Sequence, residues 1–141
     1  MSSINWARVV GGGLVAALIC FLSDGFLHEK LLHADWQAVF AALRVPEPTH
    51  ESGGLGWFVL YDLGRGLVSV FLYAAMRPRC GPGPRTAACA GAVAWLAISL
   101  TTPAQFIPLG FLSTALWVKA AAFQLVTSIV ATIAGAALYK E

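Results

Sequence analysis

The sequence predicts an all-α integral membrane protein, a four-helix bundle with an amphipathic interfacial helix after the first span. Two observations carry this. Hydrophobic residues make up 58% of the 141-residue chain and charged residues only 11%, against roughly 25% charged in soluble domains. Too few polar side chains are present to clothe a water-facing surface, and the mean hydropathy of +0.73 says the same. The apolar residues also fall in four long runs separated by Pro and Gly, each near the roughly 20 residues that cross about 30 Å of hydrocarbon. A single transmembrane domain, residues 1–141, accounts for the length. The formal net charge of +2 is too small to argue for a nucleic-acid partner; the expected partner is the lipid bilayer.

The first span is expected at about residues 7–27. A cleaved signal peptide also opens on a positive charge and an apolar stretch, but Ser23-Asp24-Gly25-Phe26 follows here instead of an Ala-x-Ala pattern, so the helix is expected to be retained. Gly25 is the expected bend into the next element. Residues 29–44 are too polar to span, yet Leu32, Trp36, Val39, Phe40 and Leu43 recur at helical spacing with Lys30, Gln37 and Arg44 between them. That pattern predicts an amphipathic helix lying on the outer membrane surface. The second span follows Pro46-Glu47-Pro48 and Gly53-Gly54 and covers about 55–76. The third, about 87–106, follows Gly81-Pro82-Gly83-Pro84, and the fourth, about 113–139, follows Pro103 and Pro108-Leu109-Gly110. No internal repeat supports a duplicated transporter architecture.

Orientation is read from Lys and Arg in short loops, because positive charges resist translocation. Arg8, Arg77, Arg79, Arg85 and Lys140 fall on one side; Lys30 and Arg44 fall on the other, diluted by Glu29, Asp35, Glu47 and Glu51. The first side is expected to face the cytoplasm, with both termini there and the protein multi-pass. Trp57 and Trp117 then mark the outer interface, and Trp6, Tyr73 and Tyr139 the inner one. Arg77, Arg79 and Arg85 are expected to meet anionic lipid headgroups.

Charge inside the spans is the most informative feature. A charged side chain at a helix centre costs about 2.5–3.5 kcal/mol on insertion scales, so such groups usually face the protein interior and pair. Asp24, Asp62, Arg65 and Lys119 are four of these, two acids and two bases at overlapping depth in the outer half. Asp62 and Arg65, three apart, can pair on one helix. His28 lies four residues after Asp24, on its face, and Gln124 adds a polar group from the fourth span. This cluster is expected either to fix helix packing or to line a pocket for a small ligand, ion or proton. Small residues support close packing: Gly13, Ala17 and Cys20 lead to Asp24, Gly64 and Gly66 flank Arg65, and Ala120, Gln124, Thr127, Ala131 and Gly135 stripe the fourth span.

Metal and catalytic motifs are weak. His28, His33 and His50, with Glu29 and Glu51 from the same loop, are weak metal-ligand candidates, and His28 and His33 are about 140° apart around a helix, so they do not converge as an i, i+4 pair would. No metal and no cofactor is expected. Gly11-Gly12-Gly13 lies within a span and not in a phosphate loop, and no serine stands in a nucleophile elbow. Cys20, Cys80 and Cys89 lack metal-ligand spacing; Cys80, between arginines, is a weak candidate for a reactive or lipidated thiol.

The opening Ile4-Asn5-Trp6, the Ala34-Asp35-Trp36 segment, and Tyr73-Ala74-Ala75-Met76-Arg77-Pro78-Arg79 running into Gly81-Pro82-Gly83-Pro84 resemble a family of small bacterial inner-membrane proteins of unknown function. The similarity covers most of the chain. It implies the four-helix topology and a bacterial origin, and it transfers no catalytic or binding residue. Asp62-Leu63-Gly64-Arg65 and the histidine-bearing loop depart from that family's pattern. Three function classes stay open: a non-enzymatic, self-associating or accessory subunit of a membrane complex, which the sequence favours; a small transporter or ligand-binding protein using the charge cluster; and a metal- or haem-binding membrane protein.

Overall fold

A computed structural model of the chain describes residues 4–48 and 54–139, and these contain helices and turns without a strand. Four helices are long and apolar enough to cross a membrane: Trp6–Leu31, Gly54–Cys80, Pro84–Ala104 and Thr114–Ala137. They coincide with the four expected spans to within a few residues at most ends.

Helix α1 (Trp6–Phe26) begins where the Asn5 side chain accepts a hydrogen bond from the Arg8 N–H at 3.2 Å, which satisfies one of the orphan donors of the first turn. Gly25 does not bend the chain. The helix passes through it and widens into a π-helical segment, Leu27–Leu31, before breaking at Leu32 (φ −111°, ψ 11°). The bend therefore falls seven residues later than Gly25, and His28, Glu29 and Lys30 extend the first span instead of opening the second helix. The amphipathic helix α2 is correspondingly shorter, His33–Leu43, and ends at Arg44 in the left-handed region (φ 56°).

Helix α3 (Gly54–Cys80) outlasts the expected end of the second span. Pro78 lacks an N–H and would disrupt a helix interior, but it stands in the last turn, where few bonds remain to be lost, and Gly81 N–H still donates to Arg77 O at 2.9 Å. Gly81 (φ 82°) and Gly83 (φ 135°) then reverse the chain in conformations side chains rarely adopt. Pro84 opens α4 (Pro84–Ala94), a position that needs no donor. Its third span continues through a second π-helical segment, Trp95–Thr101, and a short helix α5 (Thr102–Ala104). Helix α6 (Thr114–Ala137) is capped by Ser113, whose hydroxyl accepts from Leu116 N–H at 3.2 Å.

In the bundle α1 packs most extensively on α3, α6 touches α1, α3 and α4, and α1 and α4 lie diagonally opposed. Glycines permit the close crossings. A Cβ on Gly12 would collide with the Gly135 carbonyl oxygen where α1 meets α6, and one on Gly66 would collide with the Ala17 backbone where α3 meets α1. A Cβ on Gly91 would lie 2.7 Å from Ser128 O, between α4 and α6. Gly64, by contrast, faces open space, so only one of the two glycines beside Arg65 serves packing. Between these crossings the core is built from small side chains, among them Ala16, Ala74, Ala87, Ala90 and Ala131. In lipid, where no hydrophobic effect drives helices together, such close backbone contact is the main source of association energy.

Arg8, Arg77, Arg79 and Arg85 all lie at one end of the bundle, named the basic end below; Lys140, also expected there, falls outside the described residues. The aromatic groups at this end correct the expected belt. Trp6 is exposed and stacks on Phe71 at 5.6 Å. Tyr73 and Tyr139 are buried instead, edge to face at 6.0 Å, and Tyr139 Oη accepts the Asn5 N–H at 3.1 Å. Phenols with a backbone donor inside the bundle do not need the interface. At the opposite end Leu27, Leu32 and Leu116 form an apolar cluster, against which Trp36 and Val39 of α2 and Phe123 of α6 are packed. That cluster holds α2 to the mouth of the bundle.

Candidate functional site

Asp24 sits about 10 Å before the end of the first span, and Asp62 and Arg65 about 12 and 16 Å into the second, at 1.5 Å per residue. Antiparallel packing of α1 on α3 brings these depths together. All three side chains turn inward, with Asp24 7%, Asp62 2% and Arg65 1% exposed. Arg65 reaches across to α1, its Nη1 donating to Asp24 Oδ2 at 2.6 Å and its Nη2 to Asp24 Oδ1 at 3.4 Å. This fork geometry matches guanidinium to carboxylate and is the strongest pairing either group can make. Gln124 of α6 completes it, donating from Nε2 to Asp24 Oδ2 at 2.8 Å. One carboxylate thus joins three helices.

Asp62 is held differently. Its Oδ1 lies 3.3 Å from Arg65 Nη1, an ionic contact without hydrogen-bond geometry, and this buried oxygen accepts no hydrogen bond. The expected local pair between Asp62 and Arg65 is therefore present but secondary, because the guanidinium is directed at Asp24. Arg65 Nε likewise lacks an acceptor, and the guanidinium carbon stands 5.7 Å from the Tyr61 ring centroid, within the range of a cation–π contact. Tyr61 Oη and Ser99 Oγ, 3.5 Å apart, extend the polar strip to α4's continuation.

Lys119 does not join the cluster. Its side chain is 53% exposed and pairs with Asp35 of α2 at 2.9 Å. The long stem carries the ammonium outward to a carboxylate at the mouth, so the expected balance of two acids and two bases fails: among the described residues the buried cluster holds two acids, Asp24 and Asp62, and one base, Arg65. His28 is half-buried near the cluster but is engaged elsewhere, its Nδ1 accepting from Trp36 Nε1 at 2.8 Å. That bond, with the ring contact at 5.6 Å, ties the π-helical segment to α2. His33 is exposed and His50 lies outside the described residues. Among the described residues no three His, Cys, Asp or Glu side chains converge as metal ligands would.

Both π-helical segments occur toward the end of the bundle that carries the cluster, one beginning three residues after Asp24 and the other containing Ser99. Such segments are rare and concentrate at functional positions. The second widened turn accompanies two tryptophan bonds between the third span and α6, Trp95 Nε1 to Ala121 O at 2.8 Å and Trp117 Nε1 to Leu100 O at 3.0 Å. Tyr61, Asp35 and Trp36 are the site residues the sequence reading did not place. Tyr61 stands four residues before Arg65 and hence on its face, a signal open to inspection. The Asp35–Lys119 and Trp36–His28 partnerships depend on where α2 docks, which no local spacing reports.

Two hollows lie at the basic end. One, of about 450 Å³, is lined by residues including Tyr73, Arg77, Ile133 and Tyr139, and the other, of about 190 Å³, by Met76, Cys80, Arg85, Thr86 and Cys89. Arg79 and Arg85 are exposed, whereas Arg77 is half-buried with its guanidinium 5.6 Å from the Tyr139 ring centroid. Comparison with protein-family models, curated proteins and solved structures gives no match.

Proposed function

We propose that this chain is a non-enzymatic subunit of the bacterial inner membrane, which associates with further copies of itself or with a larger membrane complex. The observation that carries this reading is the Asp24 carboxylate, bonded at once by Arg65 of α3 and Gln124 of α6. A buried acid so fully engaged is built to hold helices in register. It is poorly suited to hand its charge to a passing substrate. Glycine-mediated backbone contact at Gly12, Gly66 and Gly91 supports the same view of a rigid bundle. What such a bundle offers to other molecules is its surface: long lipid-facing stripes such as Leu14, Leu18 and Leu22 on α1 and Val126 and Val130 on α6.

In this reading both termini face the cytoplasm, because Arg8, Arg77, Arg79 and Arg85 gather at one end and resist translocation. There Arg79 and Arg85 meet anionic headgroups. The test is purification from native membranes in mild detergent, followed by mass measurement of the intact particle. A particle larger than one chain, containing either extra copies or co-purifying subunits, is the expected result. A lone monomer from membranes in which the protein is abundant sinks the proposal.

A further inference from the structure

The bundle's buried charge does not sum to zero. Asp24 and Asp62 bring two negative charges and Arg65 one positive, and among the described residues no other cation pairs with them. Lys119 is turned outward to Asp35. His28 accepts a hydrogen bond at Nδ1 from the Trp36 indole; a nitrogen that accepts carries no proton, so this imidazole is neutral and holds its hydrogen on Nε2. Gln124, Tyr61 and Ser99, polar neighbours from α6, α3 and the third span, bring no formal positive charge, and nor does the buried thiol of Cys20 on α1. One negative charge is left over in a region of lipid-like dielectric, where an uncompensated ion is strongly disfavoured.

The surplus belongs to Asp62. Both oxygens of the Asp24 carboxylate already accept hydrogen bonds, from Arg65 and from Gln124. Asp62 is 2% exposed, its Oδ1 accepts no hydrogen bond, and its contact with Arg65 lacks hydrogen-bond direction. We propose that Asp62 is a proton-binding site inside the bundle, occupied by one proton when the Asp24–Arg65–Gln124 node is closed. The balance is simple: a proton from solvent joins a carboxylate oxygen of Asp62, and the cluster becomes neutral, with Asp24 ionised, Arg65 protonated and Asp62 a carboxylic acid. A proton is the cation that fits, since a metal ion needs several converging ligands and Asp24, the nearest acid, is already engaged. The inference stands apart from the self-association proposed above; either can fail alone.

Infrared difference spectroscopy of the full chain in lipid nanodiscs tests this directly. The protein has three aspartates, Asp24, Asp35 and Asp62, so carbon-13 labelling of aspartate alone separates their signals from glutamate. At neutral pH the wild type should show one protonated-carboxyl carbonyl band that moves with the label and with deuterium exchange. Asp62→Asn should remove the band, and Asp35→Asn should leave it in place. Asn resembles the neutral acid in shape and charge, so that variant is expected to fold; if it does not, the labelled wild-type spectrum decides alone. Absence of any labelled carboxylic-acid band in the wild type, or its survival in Asp62→Asn, overturns the proposal.

Discussion

Arg65 Nη1 and Asp24 Oδ2, 2.6 Å apart and both almost wholly buried, tie together the two most extensively packed helices of the bundle. Within lipid this contact replaces the hydration that both ions lost on insertion. Its removal is consequently asymmetric. Arg65→Met alone leaves the buried Asp24 carboxylate without its cation, and breaking a buried pair by deleting one partner costs about 3–5 kcal/mol. Asp24→Leu with Arg65→Met removes the pair as a whole and should recover a large part of that loss. Unfolding titrations in mixed micelles, read from tryptophan fluorescence, distinguish the two. Equal destabilisation by the single and double variants would show that the pair is not what couples these helices.

The same pair shows where sequence reasoning stopped. Length and hydropathy place the spans, since crossing a bilayer demands about 20 apolar residues whatever the fold, and the inward turn of Asp24, Asp62, Arg65 and Gln124 follows from the cost of charge in lipid. Which acid Arg65 prefers is another matter. Asp62 is three residues away on the same helix and Asp24 forty-one residues away on another, and local spacing favours the first. The choice is made by the α1–α3 crossing, which Gly66 permits by letting the Ala17 backbone close in. Lys119 departs from expectation for a related reason: its depth along α6 is evident from sequence, but the direction of its stem depends on Asp35, and Asp35 depends on the docking of α2. Gly25 has the composition of a hinge because glycine weakens helices, yet the helix runs on through it and breaks only at Leu32, after the π-helical turn.

Gly135 and Gly64 make a controlled comparison of packing against propensity. A Cβ on Gly135 would stand 2.5 Å from Gly12 O and 2.7 Å from Val70 Cγ2, so Gly135→Val forces α6 away from α1. Overpacking of this kind costs about 1–3 kcal/mol. Gly64 meets nothing within 4 Å, and Gly64→Ala should be neutral or stabilising by up to about 1 kcal/mol. Thermal denaturation in one detergent ranks the pair, and a milder effect at Gly135 than at Gly64 counts against the helix crossing described here.

Lys119 and Asp35 form a clasp at the rim, with side chains 53% and 32% exposed. Exposed ion pairs of this kind contribute about 0–1 kcal/mol and weaken with salt. Lys119→Ala should therefore leave global stability almost unchanged. Its effect should be local, with faster amide hydrogen exchange in His33–Leu43, an increase that high salt reproduces in the wild type. The charge-reversed double variant, Asp35→Lys with Lys119→Asp, should restore slow exchange. Unaltered exchange in Lys119→Ala means that Leu27, Leu32 and Leu116 hold α2 without help from charge.

Cysteine placement supplies a topology experiment that needs no engineered site. Cys80 is exposed at the end of α3 beside Arg79, whereas Cys20 is 2% exposed within α1. In a Cys89→Ala background, Cys80 is then the thiol open to an aqueous maleimide. If the basic end faces the cytoplasm, a membrane-impermeant maleimide should modify the protein in inside-out vesicles and leave it unmodified in right-side-out spheroplasts, while a permeant reagent labels both. The argument rests on the local field: Arg77, Arg79 and Arg85 surround this turn, and moving them through the bilayer during insertion opposes the membrane potential at about 2.3 kcal/mol per charge per 100 mV. Labelling from the spheroplast exterior would reverse the orientation, and with it the side from which a proton reaches Asp62.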